Sequence, residues 1–148
     1  MESISLTSDK YQGEAFSRKG FFGLQKPVLS FSRCIFQINL FIGCSLETVR
    51  FSGCNVQSLG VEESKIENLH FFECTVYDFR LLECHVNRLS FENCILINCR
   101  IDLEESPISS LEIKNCKYNM CDFIPANSDN GNIEISGDSS EFLAYLRS

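Results

Sequence analysis

Leu69-His70-Phe71-Phe72-Glu73-Cys74-Thr75-Val76-Tyr77-Asp78-Phe79-Arg80-Leu81-Leu82-Glu83-Cys84-His85-Val86-Asn87-Arg88 decides the fold. Apolar residues fall in pairs at 69/71, 74/76, 79/81 and 84/86, each pair split by one residue and repeated every five. The pattern runs outward in both directions. Cysteine recurs at every tenth position as Cys34, Cys44, Cys54, then Ser64, then Cys74, Cys84 and Cys94. The offset series Val49, Leu59, Leu69, Phe79, Leu89 fills the gaps. A fixed short period over most of a chain marks a solenoid, in which each repeat buries its apolar face against its neighbours.

The identities recur best at twenty. Phe31, Phe51, Phe71 and Phe91 form one series, Leu29, Val49, Leu69 and Leu89 a second, and Cys34, Cys54, Cys74 and Cys94 a third. Four five-residue sides per coil would stack like residues at the roughly 4.8 Å spacing of neighbouring strands. After Ile101, Asp102-Leu103-Glu104-Glu105 shifts the phase by two residues, and the pairs resume as Ser106/Ile108, Leu111/Ile113, Cys116/Tyr118 and Cys121/Phe123. A two-residue bulge between coils returns all four pairs to matching columns. The expected fold class is all-β, a quadrilateral parallel β-helix of about twenty residues per coil.

The chain resembles the pentapeptide-repeat proteins, whose loose motif is Ala, then Asp or Asn, then Leu, then two further residues. The matches run from about Leu29 to Phe123, with fainter echoes at Tyr11, Phe16 and Phe21. Two departures stand out. The first inward residue is Cys or a large aliphatic, and the Asp/Asn is mostly replaced, as by Arg50, Lys65, His70, Arg80, His85 and Arg100. The resemblance implies that the β-helix is right-handed.

With 148 residues and 44% apolar content the chain reads as one domain. Residues 24–124 form the repeat tract, with the phase shift at 102–105. Residues 1–23 read as an N-terminal cap with room for a degenerate first coil, and 125–148 as a C-terminal cap, since open solenoid ends need covering. Asn132–Ser136 reads as a short strand. Asp138 or Ser139 would then cap a short C-terminal α-helix reaching Arg147, with Phe142, Leu143 and Leu146 on one side. That helix fits a lid over the last coil. The resemblance adds a second role, a homodimer contact at that end.

Nine cysteines raise the question of disulfides or metal. Stacked cysteines have Cβ bonds pointing the same way, and a spacing of ten lacks the close pair of a zinc hook. They read as small apolar residues filling a narrow interior. No Ser/His/Asp arrangement, glycine-rich phosphate loop or carboxylate pair is present by spacing. His70 and His85 occupy outward sites as solvated residues. The expectation is therefore a non-enzyme with no cofactor and no metal. No apolar run is long enough to span a bilayer, and Met1–Lys10 lacks a signal-peptide core, so no membrane partner and a cytoplasmic location are expected.

Two outward features carry the expectations of function. Phe72, Tyr77, Ile95 and Ile97 fall on neighbouring sides and adjacent coils, with Ile35 and Ile38 lower down, as a surface for a protein partner. The net charge is −7, and Glu47, Glu62, Glu63, Glu67 and Glu83 gather on two adjoining sides with Asp102, Glu104 and Glu105. Lys65, Arg80, Arg88 and Arg100 interrupt them. The leading expectation is a rigid rod that binds a protein and makes no direct contact with nucleic acid. The resemblance supplies two alternatives: an acidic DNA mimic that occupies gyrase or another type II topoisomerase and protects against quinolones or gyrase poisons, and a translocated bacterial effector.

Overall fold

Inward residues two apart on an extended backbone force each five-residue segment to lie flat as one side of a coil, since side chains alternate across a strand. The computed structural model describes residues 1–102, 105–124 and 134–137 and shows a parallel β-solenoid, with no helix among the described residues. The first side carries Leu29/Phe31 and its successors, the second Cys34/Phe36, the third Asn39/Phe41 and the fourth Cys44/Leu46, and these inward residues are buried. Register partners lie one coil apart: Asn55 pairs with Thr75, Phe51 with Phe71, and Lys65 with His85.

The four sides form two bent sheets. One comprises the fourth and first sides, through Gln25–Ser32, Ser45–Ser52, Lys65–Phe72, His85–Glu92 and Ile108–Lys114. The other comprises the second and third, through Ile35–Ile42, Asn55–Glu62 and Thr75–Leu82, followed by Ile95–Ile97 and Arg100–Asp102. The corner inside the first sheet, at Thr48, Asn68 and Arg88, has no left-handed residue. The other three corners each turn through one, such as Gly53 (φ 62°), Glu63 (φ 49°) and Asp78 (φ 57°). Glycine takes that conformation freely, whereas Ile38 at φ 56° is β-branched and holds it at a cost.

The cysteines mark where strands stop. From Cys34 onward, the residue that opens a side after a strand break is Cys or Ser: Cys34, Cys54, Cys74, Cys94 and Cys116 at one seam, and Cys44, Ser64, Cys84 and Ser106 at the other. Where a strand runs through its corner, the equivalent residue is mostly large and apolar, as Leu59, Phe79 and Leu69 are. The corner between the second and third sides makes the point twice. Its strand is continuous at Leu59 and Phe79, then splits into separate strands before Cys99 and again before Cys121.

Inside, Phe31, Phe51, Phe71 and Phe91 stack with ring centroids 5.1, 4.7 and 5.0 Å apart. Edge contacts from Phe36 and Phe79 lock this file to its neighbours, and such pairs contribute about 0.5–1.5 kcal/mol beyond area burial. The register offset is twenty residues up to Leu81 and Ile101 and twenty-two from Val86 and Ile108 through Asp102 and Ile124. Leu89 pairs with Leu69 below and Leu111 above, and Val86 with Ile66 and Ile108. Cys84 N–H then donates to Ser106 Oγ at 3.1 Å, as Cys44 N–H does to Ser64 Oγ at 3.1 Å.

At the N-terminal end Tyr11, Phe16 and Phe21 pair with Phe31, Phe36 and Phe41, so the five-residue echoes form a coil of their own. Glu2–Ser3 pairs beyond it with Lys19 and Gly20. At the other end Glu134–Gly137 adds a strand beside Ser110–Ile113, overlapping the expected strand Asn132–Ser136. The expected C-terminal helix over 138–147 lies outside the described residues. Asn39 interrupts the apolar file of the third side. Its Nδ2 donates to the Lys19 carbonyl at 3.3 Å, and its buried Oδ1 has no partner.

Candidate functional site

A buried thiol flanked by carbonyls has only weak hydrogen bonds to offer, and every inward cysteine spends them in the same way. Cys54 Sγ lies 3.4 Å from the Phe31 carbonyl and 3.5 Å from that of Ser52; Cys74 Sγ lies 3.3 Å from both Phe51 and Phe72 carbonyls. Each thiol therefore sits between the end of the preceding strand and the coil below. All nine cysteines are free. Burial pushes the Cys34, Cys44 and Cys84 thiols above their ordinary range, which keeps them protonated and poor nucleophiles. Among the described residues no cluster of three or more His, Cys, Asp or Glu could hold a metal. The core void lined by Leu46, Phe51, Leu69 and Phe79 measures about 10 Å³, too small for a substrate.

The outward residues are what remains. Tyr77 is 47% exposed and pairs in register with Ile97 on the next coil; Ile95, 43% exposed, stands beside Ile97 on the same side. Phe72 is set apart. It belongs to the other sheet, is half-buried, and stacks on His70 with centroids 6.4 Å apart. The structure thus brings Tyr77, Ile95 and Ile97 together and turns Phe72 around the corner at Glu73. Ile35 and Ile38 are exposed on the second side, Ile35 three coils below Ile95.

The apolar surface extends to the third side, which the sequence reading passed over. Phe22 pairs with Ile42, and Leu82 is exposed one coil beyond Glu62. Two glycines shape this area. A Cβ on Gly20 would lie 2.4 Å from the Phe22 ring, and one on Gly60 would lie 3.0 Å from Leu40 Cδ1, so both side chains lie flat over bare backbone. Met1, Ile38, Leu40, Gly60 and Leu82 line a depression of about 210 Å³ there. The signal was available in the outward columns at period twenty, Gly20/Leu40/Gly60 and Phe22/Ile42/Glu62/Leu82.

The acidic residues fall around the seam between the third and fourth sides. Glu63 and Glu83 occupy the corner itself, with Glu62 on the third side and Glu47 and Glu67 on the fourth. Among the described residues none of these five forms an ion pair. Lys65 stands one residue from the corner column, and Arg80 lies 3.7 Å from Asp78. His85 is exposed on the fourth side, while His70 Nδ1 is hydrogen-bonded to Ser90 Oγ one coil above. Phe142, Leu143 and Leu146 lie outside the described residues. Among those described, no helix is long and apolar enough to cross a membrane.

No family model and no curated protein matches the chain. Among solved structures it is similar to trypsin-treated QnrB1, a plasmid-mediated fluoroquinolone resistance protein, at 10% identity over 92% of this chain and 93% of that one, with a TM-score of 0.31. Full-length QnrB1 is matched at 8% identity over 94% and 97%, with a TM-score of 0.23. Neither likeness bears on what this chain binds.

Proposed function

We propose that the chain is a non-enzymatic interaction protein of the pentapeptide-repeat kind, a rigid β-helical rod that binds a protein partner through its second and third sides. The observation that carries this reading is the cluster of Tyr77, Ile95 and Ile97 on adjacent coils, with Tyr77 and Ile95 exposed and Ile97 half-buried beside them. Aromatic and aliphatic side chains held rigidly on a sheet lose little entropy on binding and are the residue types that dominate interface energetics. A filled core favours the same reading, because it leaves the outer faces as the places where another molecule fits. Tyr77→Ser with Ile97→Ser should leave the melting temperature unchanged and sharply reduce capture of a partner from a lysate of the source cells. Undiminished capture by that variant refutes the surface.

A second reading draws on the acidic seam. Glu47, Glu62, Glu63, Glu67 and Glu83 present carboxylates without ion-pair partners among the described residues, as a surface that imitates duplex DNA toward a type II topoisomerase would. Lys65 and Arg80 break its continuity. If this reading holds, micromolar protein alters gyrase supercoiling at low salt and the effect fades as salt rises; no change at low salt refutes it.

A further inference from the structure

An acidic chain has little reason to set unpaired arginines around one basin, yet among the described residues Arg50 and Arg88 stand so. Along the corner inside the first sheet, Thr48, Asn68, Arg88 and Ser110 stack in register on successive coils. Beside them, across the inward Val49, Leu69, Leu89 and Leu111, runs the parallel column Arg50, His70, Ser90 and Glu112. These two columns line a basin of about 450 Å³. Arg50 and Arg88 are exposed at its rim, while Thr48, Asn68, His70, Ser90 and Ser110 are half-buried along its floor. Among the described residues neither guanidinium has an ion-pair or hydrogen-bond partner.

We propose that this basin is an anion site that takes a small ligand carrying two linked phosphates. The geometry favours an extended oxyanion. Arg50 and Arg88 lie on coils two apart, so their Cα atoms are separated by about 10 Å along the axis at one strand spacing per coil. A diphosphate presents separate oxygen atoms to each fork, so both guanidiniums engage it without converging on one centre. Guanidinium pairs with phosphate bidentately. Between the two, the Asn68 amide supplies a neutral donor, with the Thr48 hydroxyl level with Arg50 and the Ser110 hydroxyl one coil beyond Arg88. His70 is held by its hydrogen bond to Ser90, which fixes the middle of the floor before any ligand arrives.

Negative charge limits the site at one end. Glu112 is the acidic residue lining the basin and has an interaction of its own. On the fourth side, Thr48 and Asn68 also line a neighbouring depression of about 620 Å³, where Lys26 and Lys65 balance Glu47 and Glu67. An anion is therefore favoured between Arg50 and Arg88 and disfavoured toward Glu112. This surface is separate from Tyr77, Ile95 and Ile97, which stand on the other sheet, so the proposal goes beyond the protein-binding reading and survives its failure.

Calorimetric titration of the full chain with sodium pyrophosphate at low ionic strength tests it. Saturable binding is expected, weakened about tenfold or more by Arg88→Ala and by Arg50→Ala, consistent with loss of a charge-assisted contact. Glu112→Gln should tighten it several-fold, and Arg33→Ala, an exposed arginine at another corner, should leave it unchanged. Orthophosphate should bind more weakly than pyrophosphate. A nucleoside diphosphate that binds as tightly as pyrophosphate shows that the diphosphate alone is read, and a tighter one adds a contact from the base. The proposal is overturned by absence of saturable heat, by equal losses in Arg33→Ala and Arg88→Ala, or by orthophosphate matching pyrophosphate. A tetraglutamate peptide binding as tightly would overturn the phosphate assignment in favour of an acidic protein segment. Unchanged thermal melts of the arginine variants separate lost binding from lost fold, as expected for exposed side chains.

Discussion

On the sheet built from the second and third sides, Phe22, Ile35, Ile38, Tyr77, Leu82 and Ile95 stand exposed to solvent; on the sheet built from the fourth and first sides, Val28 is the large apolar side chain left so open among the described residues. Both sheets turn the same kinds of residue inward, and their inner faces share one core. Packing therefore fixes the inside of both sheets alike and leaves the outside free to differ. An outward apolar residue gains far less from the fold than an inward one, so its accumulation on one sheet is what a binding surface would leave. The arginines and hydroxyls around Asn68 on the other sheet record a different one.

The largest effect should come from confusing inside with outside. Phe71 and Phe72 are adjacent in sequence and point to opposite faces. Phe71→Asp removes a ring stacked between Phe51 and Phe91 and buries an unpaired carboxylate, a loss of several kcal/mol that is comparable with a typical domain's whole margin. No soluble folded protein is expected. Phe72→Ser should express and melt within a few degrees of the parent. If Phe71→Asp melts like the parent, the inward assignment is wrong.

Alkaline titration probes the seams where the two sheets meet. The Cys34, Cys44 and Cys84 thiols are held up by burial, so the folded chain keeps protons that the unfolded chain gives up once pH exceeds the ordinary thiol value of 9.0. A folded pKa above the unfolded one gives stability that is intact below pH 9 and declines as pH rises past it. Thermal melts between pH 7 and about 10.5 should show a plateau and then a fall. A flat profile across that range would show that the thiols ionise in place.

A smaller, opposite effect is expected at Asn39. Its Oδ1 is buried without a partner, in the file occupied by Leu59 and Phe79 on the following coils. Asn39→Leu gives up the 3.3 Å bond to the Lys19 carbonyl but removes the unsatisfied acceptor, for a net gain of about 1 kcal/mol. Denaturant titration that shows a loss instead would mean the amide supports the first coil.

The coil length, the four sides and the bulge were all legible, because a core that repeats every twenty residues prints its period on the sequence. The Phe31–Phe91 file and the pairing of Leu89 with Leu111 sit where the period puts them. What the period hid was the reason for cysteine. Apolar spacing treats Cys74 and Leu69 as equivalents, yet one opens a side after a strand break and the other lies where the strand continues. Asn39 was hidden for the opposite reason, since its neighbours in the file are apolar and nothing local marks it as inward. Outward residues share the twenty-residue columns but hold no single residue type along them. Tyr77 and Ile97 met through a twenty-residue offset, but the third-side surface around Leu82 depends on bare backbone at Gly20 and Gly60, and a glycine advertises no contact.

The least effect on stability, and the most direct test of the contrast between the sheets, comes from polar substitution outside. Tyr77→Ser with Leu82→Ser changes two exposed side chains on the second and third sides, and such changes usually fall within about 0.5 kcal/mol. The melt should hardly move. A neutral solvatochromic dye such as Nile red reports exposed apolar surface without being drawn to Arg50 or Arg88, and its emission with the parent should fall markedly in the double variant. Val28→Ser on the other sheet should leave the emission as it was. Were both variants to lower it equally, the dye would be sampling solenoid sides in general and the apolar sheet would not be distinct. Were neither to change it, Tyr77 and Leu82 would be scattered residues on a polar rod, and the weight of function would pass to the charged basin around Asn68.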